Sequence, residues 1–262
     1  NVMYKNDVFD LRHFNPAYVF HNLNAREMFN AIAHVEVDFS FAPGFNLYGQ
    51  YVLDQARAPN ESSVQADAWG ILGGLEYGTV LGGGILISSL ELSYTTPALY
   101  RRDKVDFLMF RKYFVVEDNT SYVLQLDYIG YQYGGDAMIL QWDTEWSLPG
   151  QGNIALSLMG MRHGKMNFFE SHNTSGNNNG SSNYTERTPS GSNTDIETIL
   201  RASLYFSWRL PTLQQISARA GVDWTGIWNK YMLDEVNGLV KASHLPGFRQ
   251  DLQMTVGLSW SI

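Results

Sequence analysis

Polar and apolar residues alternate along this chain with a period of two, the period of strands whose two faces meet different surroundings. From Phe29 the odd positions read Phe29, Ala31, Ala33, Val35, Val37, Phe39 and Phe41, against Asn30, His34, Glu36, Asp38 and Ser40 on the even ones. After Ala42-Pro43-Gly44 the pattern resumes, with Phe45, Leu47, Gly49, Tyr51 and Leu53 facing one way and Asn46, Tyr48, Gln50 and Asp54 the other, so the two strands read as a hairpin. Alternation returns at Trp69 to Tyr77, Leu86 to Tyr94, Tyr122 to Gly130, Met138 to Leu148, Ile154 to Gly160, Thr198 to Leu210, Ile216 to Trp228 and Leu252 to Ile262. Asp106 to Val116 is a weaker strand without assignable faces. About eleven strands result, with room for a twelfth before Asn15, and ~10 residues is the length a tilted strand needs to cross a bilayer. Asn15 to Asn24 contains Pro16 and lacks alternation, and reads as a short helix or an inserted plug.

The connections alternate in length. Ala42-Pro43-Gly44, Gly82-Gly83-Gly84, Pro149-Gly150-Gln151-Gly152 and Pro211-Thr212-Leu213 are short, whereas Gln55 to Ala68, Thr96 to Val105, Gly164 to Asp195 and Lys230 to Gly247 are long and fall at the opposite strand ends. Transmembrane barrels have short periplasmic turns and longer outside loops, so a periplasmic C-terminus sends all four long loops outward. Ser171 to Asn193 is rich in Asn, Ser, Gly and Thr, which marks 164–195 as a long mobile extracellular loop.

Alternation alone also suits a soluble sandwich or lipocalin with its apolar face inward. The polar face decides between them, because it carries Glu36, Asp38, Asp54, Glu76, Glu91, Asp127, Asp143, Glu145, Arg201, Arg219, Asp223 and Arg249, while the opposite face is nearly free of charge. Ionised groups in that number call for a hydrated lumen. Aromatic residues of the apolar face gather near strand ends, at Phe39, Phe41, Phe45, Trp146, Phe206, Trp208, Trp224 and Trp228, as in interfacial girdles. The expectation is an all-β fold, an antiparallel transmembrane β-barrel of about twelve strands, or part of a larger barrel, in one domain over 1–262, in the bacterial outer membrane and in contact with its lipid.

Composition changes this picture little. The 17% of charged residues and 14% of aromatics are too few and too many, respectively, for disorder, and no apolar run is long enough for a spanning helix. The chain has no cysteine, which removes disulfides and thiolate metal sites. A net charge of −8 without a basic stripe argues against nucleic acid as a partner. The sequence starts at Asn1 with neither a basic segment nor an apolar run, so the expectation is that a signal peptide has been removed or that the chain begins inside a longer precursor.

Candidate chemistry is sparse. Gly73-Gly74 and Gly82-Gly83-Gly84 lie in a strand and a turn, with no following helix to hold phosphate. The six histidines, His13, His21, His34, His163, His172 and His244, show no metal-ligand spacing, so neither metal nor cofactor is expected. His34 and Asp38 share a face but stand ~13 Å apart at strand spacing, too far for a proton relay. The carboxylate-rich lumen suits a porin or transporter that favours cations, unless those carboxylates only pair with Arg201, Arg209, Arg219 or Arg249. Glycan contact would use aromatics near the outer loops, and Trp69, Tyr100, Tyr133, Tyr184, Trp228 and Tyr231 are the candidates beside the girdle role that explains most of them.

Several segments, taken in order, resemble the capsule-assembly (Wzi-like) outer-membrane family. They are the strand from Asn30 to Phe41, Pro43-Gly44-Phe45-Asn46-Leu47-Tyr48-Gly49-Gln50, Leu53-Asp54-Gln55, Gly74-Leu75-Glu76-Tyr77, Leu90-Glu91-Leu92-Ser93-Tyr94-Thr95 with Pro97 and Tyr100, and Tyr128-Ile129-Gly130 before Gly134-Gly135-Asp136-Ala137. The resemblance implies a non-enzymatic barrel that holds or organises surface or capsular polysaccharide, with no catalytic centre to transfer. The final alternating segment, Leu252 to Ile262, resembles the C-terminal signal read by the barrel-insertion machinery, which would make that machinery a partner.

Overall fold

The structure, a computed structural model, describes residues 2–4, 29–55, 67–101, 107–114, 122–166, 187–210, 213–236 and 239–260. Its elements are β1 (Val2–Tyr4), β2 (Phe29–Ala31), β3 (Ala33–Ala42), β4 (Phe45–Gln55), β5 (Ala68–Leu81), β6 (Gly84–Thr95), β7 (Leu108–Phe114), β8 (Tyr122–Tyr128), β9 (Ala137–Leu148), β10 (Gly152–His163), β11 (Glu197–Leu210), β12 (Leu213–Val236) and β13 (Leu239–Trp260). The fold is all-β, and among the described residues there is no helix. Nine strands form one antiparallel sheet in the order β13-β12-β11-β10-β9-β6-β5-β4-β3, with no pairing between β13 and β3 among the described residues. The Asn15 to Asn24 segment lies outside those residues.

The alternation read from sequence becomes two opposite faces because the register keeps like with like. One row across the sheet runs Phe39, Leu47, Leu75, Leu90, Trp142, Leu158, Ala202, Trp224 and Leu252, each residue opposite the next. A row on the other face runs Ser40, Asn46, Glu76, Ser89, Asp143, Ser157, Ser203, Asp223 and Gln253. A one-residue slip would exchange the two faces of a strand and could carry residues such as Glu76, Asp143 or Asp223 into the apolar row, so the register is strongly specified. Among the described residues no other layer covers the apolar row, where Phe39, Leu90 and Leu252 are 58%, 48% and 54% exposed.

Two features depart from the expected strand set. The segments near Asp106 to Val116 and Tyr122 to Gly130 do form strands, but among the described residues β7 and β8 pair with each other and not with the main sheet, as a two-stranded sheet inserted between β6 and β9 in the chain. Asp127 therefore stands on this side hairpin and not on the main wall. Lys230 to Gly247, read as a loop, is instead paired strand: β12 and β13 continue past a register shift beside Trp228 to the pair Val236 and Leu239. Seven residues from Lys230 carry this hairpin ~20 Å beyond the other strands at strand rise.

Buried apolar residues gather at the end opposite the short turns. Ile32, Leu99, Tyr100 and Phe107 form one cluster with Val52, Tyr128 and Tyr131 packed against it, and Ala137, Ile139 and Met161 form another with Tyr131 and Tyr133. The core thus sits under the long loops rather than between layers, and among the described residues nothing packs over either face at the middle of the sheet.

Candidate functional site: the polar face and its loop-end cap

Six carboxylates line the polar face from β3 to β9, and each has a neutral partner. Gln50 Nε2 donates to Glu36 at 2.8 Å, Asn46 Nδ2 to Asp38 at 3.4 Å and to Glu76 at 3.2 Å. Tyr48 Oη donates to Glu91 at 2.9 Å, Gln141 Nε2 to Asp143 at 2.7 Å and Asn153 Nδ2 to Glu145 at 3.0 Å. His34 Nε2 lies 3.8 Å from Glu36 rather than near Asp38. Amides and hydroxyls orient a carboxylate without cancelling its charge, so this half of the face keeps a negative potential.

The arginines stand on the other half. Arg201 and Arg209 are on β11, Arg219 on β12 and Arg249 on β13, whereas no Lys or Arg takes a polar-face position from β3 to β10. Asp223 is the carboxylate found with one of them: Arg201 Nη2 lies 3.6 Å away, Ser203 Oγ donates at 2.5 Å and Tyr205 Oη at 2.6 Å. The expected pairing of lumen carboxylates with arginine holds for that site, while the six from β3 to β9 take amides and a phenol instead.

Two tyrosines reach their carboxylates across glycine. Tyr48 lies over Gly74 on its way to Glu91, and Tyr205 lies over Gly221 on its way to Asp223; a Cβ at either glycine would overlap the ring. Glycine inside a strand costs stability, and here it opens the space that the phenol occupies. Tyr48→Phe is expected to lower stability by about 1 kcal/mol, because Glu91 loses one donor yet stays hydrated. Urea titration of the folded protein reads this, and a change below ~0.3 kcal/mol would show that the phenol holds nothing.

The cap at the loop end is built on two buried aspartates. Asp136, fully buried, accepts the N–H of Ser190 at 2.8 Å and that of Met166 at 3.1 Å, and it accepts the Ser190 hydroxyl as well. Gly164 N–H donates to the Asp136 carbonyl, and Thr188 Oγ1 donates to the Thr95 carbonyl at 2.6 Å. Both feet of the 164–195 segment are thereby tied to β6 and β9; residues 167–186, including Tyr184, lie outside the described residues. Asp54, on the polar face by alternation, is 8% exposed and accepts the Tyr100 N–H at 3.0 Å, so it anchors the 96–101 loop instead of facing open solvent. Tyr131 N–H in turn donates to Tyr100 Oη at 2.9 Å, and burial pushes the Tyr131 phenol up to about 12.

Ser192 and Asp195 close a turn of the cap. The Ser192 hydroxyl and N–H both donate to Asp195 Oδ2, at 2.7 and 2.9 Å, and these bonds hold the carboxyl below its usual range. The stabilisation from a depressed carboxyl is present above its unfolded value and fades as pH falls through the folded one. Amide exchange at Ser192 is therefore expected to lose protection on acidification below about pH 4, and Asp195→Ala to remove both the protection and its pH dependence. Protection that survives in the variant would place the turn's stability elsewhere.

The glycan-contact candidates divide by position. Trp69 and Trp228 stand on the apolar face, where Trp69 stacks between Tyr51 and Tyr94 at 6.3 and 5.4 Å and Trp228 meets Phe248 at 4.6 Å. Tyr100 is 4% exposed inside the cap, which leaves no ring face for a sugar. Tyr133 donates to Met159 Sδ at 3.3 Å beside Tyr131, and Tyr231 packs against His244, with its N–H donating to Glu197 at 2.8 Å. Sequence reasoning missed Asp136 as an anchor, although Gly134-Gly135-Asp136 at a strand entrance was its signal. Among the described residues no three His, Asp or Glu side chains could together hold a metal ion.

Compared with known protein families, curated proteins and solved structures, the chain gives no match.

Proposed function

We propose that this sheet is the wall of a bacterial outer-membrane β-barrel whose apolar face meets lipid and whose ionised face lines a water-filled passage for hydrophilic solutes. The observation that carries the reading is the nine-strand apolar row, uncovered and without a charged residue, backed by a fully polar row one residue away. Water would not tolerate so large an apolar surface on a monomer, and a bilayer would require it.

Aromatic belts bracket that face. Phe41, Phe45 and Tyr77 pack together at the turn end, as do Trp146, Phe206 and Trp208. Tyr51, Trp69 and Tyr94, and further along Trp228 and Phe248, form the belt at the loop end. From Ala218, opposite Trp208, to Trp228 is ten residues, ~33 Å along a strand and ~25 Å across a bilayer at a tilt of ~40°, the height of an outer-membrane apolar band.

The charge division favours passage of ions or small charged solutes: a carboxylate wall from β3 to β9 stands apart from the arginines of β11 to β13. Planar-bilayer recording tests this. Cation-selective steps that Glu76→Gln with Asp143→Asn shift toward anions are expected, and a barrel that inserts without conducting would remove the passage. Association with surface or capsular polysaccharide is the second reading, without catalysis. It is favoured by the braced cap and by the β12–β13 hairpin that rises past it, and glycan-array binding by the folded protein separates it from the first.

A further inference from the structure

β3 and β13 bound the nine-stranded sheet, and both run the same way. β3 descends from the loop end to the turn at Pro43-Gly44, and β13 descends from the loop end to Trp260, opposite Ile216 near the turn end of β12. Joining these edges directly would make a parallel seam, whereas the strands of outer-membrane barrels are antiparallel throughout. Two copies standing the same way up in one membrane would meet, β3 against β13, with the same parallel polarity. An antiparallel wall closes only if an odd number of strands lies between the two edges, with an ascending strand next to each edge.

The first of those strands has a place marked for it. β1 runs antiparallel to β2, with Val2 opposite Ala31, Met3 opposite Asn30 and Tyr4 opposite Phe29. β2 leads through Ile32 into β3, so β1 ascends. The same ladder, continued downward, sets whatever leads up into Val2 beside Ala33–Ala42, and β4 already holds the other edge of that segment. Along β3 both faces are exposed, with Val35 at 64% and Val37 at 59%.

We propose that the edge of β3 left unpaired among the described residues is completed by an ascending strand of this same protein, about ten residues long, that runs up into β1 at Val2. The strand carries uncharged apolar residues opposite Val35, Val37 and Phe39 and polar residues opposite Glu36 and Asp38, because the pleat fixes its faces to those of β3. This inference rests on the membrane reading above, and it makes the wall at least ten strands wide.

Amide hydrogen exchange in lipid vesicles tests it, on protein made from the complete reading frame and on the chain starting at Asn1. In the complete protein all amides of Ala33–Ala42 are expected to exchange slowly. In the shorter chain the alternate amides that point away from β4 should exchange at least about tenfold faster, while those bonded to β4 stay protected. Edge-facing amides that are fast in the complete protein, or slow in the shorter chain, would overturn the proposal. Ser40→Cys combined with Ser259→Cys, in the chain starting at Asn1, whose sequence holds no other cysteine, is expected to give no disulfide within or between chains, and a disulfide would place β3 beside β13 and also overturn it. Quenching of the belt tryptophans by brominated lipid reads the membrane assignment separately, so a failure there is distinguishable from a failure at the β3 edge.

Discussion

Leu90→Arg is expected to destabilise the folded protein in vesicles by about 2–4 kcal/mol, the cost of an arginine at the midplane of a barrel's lipid face. Leu90 occupies the centre of the apolar row between Leu75 and Trp142. Ser89→Arg, one residue earlier on the polar face beside Glu76 and Asp143, is expected to change stability by less than about 1 kcal/mol. The contrast between adjacent positions carries the argument, since both side chains sit at the same depth and on the same strand. On a water-exposed sheet, Leu90→Arg would be nearly neutral and would improve solubility, because Leu90 is already 48% exposed. Urea-driven unfolding in short-chain lipid vesicles measures both variants, and equal small effects would remove lipid from the account.

Asp136→Ala is expected to release the feet of the 164–195 segment while leaving the wall intact. The carboxylate takes N–H donors from Met166 and Ser190 and the Ser190 hydroxyl in a site with no exposure. Its removal strands those donors away from water at about 1–3 kcal/mol each, a loss the cap bears locally. Asp136 also has a φ of +61°, a conformation that Asn tolerates better than Ala, so Asp136→Asn should be the milder change. Limited proteolysis reads the outcome: rapid cleavage near 164–166 or 187–191 in the alanine variant with β9 and β10 uncut is expected. Resistance equal to the parent would mean that Asp136 does not hold the cap.

The two faces of the sheet were legible in sequence because a strand's side-chain period is two, so residues such as Val37 and Asp38 declare their sides without any contact information. The belts were legible for the same reason, since Trp146, Trp208 and Trp228 fall on the apolar parity at strand ends. Alternation does not say which sheet a strand joins, and this is why β7 and β8 read as part of the wall although among the described residues they pair with each other and not with the main sheet. The period of two also breaks in Lys230-Tyr231-Met232-Leu233-Asp234-Glu235-Val236, which hid the β12–β13 extension at Lys230 to Gly247 despite its Asn237-Gly238 hairpin signal. The partners of the carboxylates lay beyond sequence altogether. Asn46 bridging Asp38 and Glu76, or Tyr48 crossing Gly74 to Glu91, depends on the register between strands.

The most direct test of a lipid-facing wall scans one strand. β9 runs through the middle of the sheet, and the absence of cysteine lets single cysteines be placed from Met138 to Ser147 and spin-labelled in vesicles. Collisions with dissolved oxygen, which concentrates in lipid, are expected to be high at Met138, Leu140, Trp142, Thr144 and Trp146. Collisions with a water-soluble nickel chelate should be high at Gln141, Asp143, Glu145 and Ser147, and low at Ile139, which is buried in the loop-end cluster, giving two opposite oscillations of period two from Leu140 onward. Oxygen accessibility that peaks at the Gln141 and Asp143 parity, or nickel accessibility equal on both faces, would contradict the account.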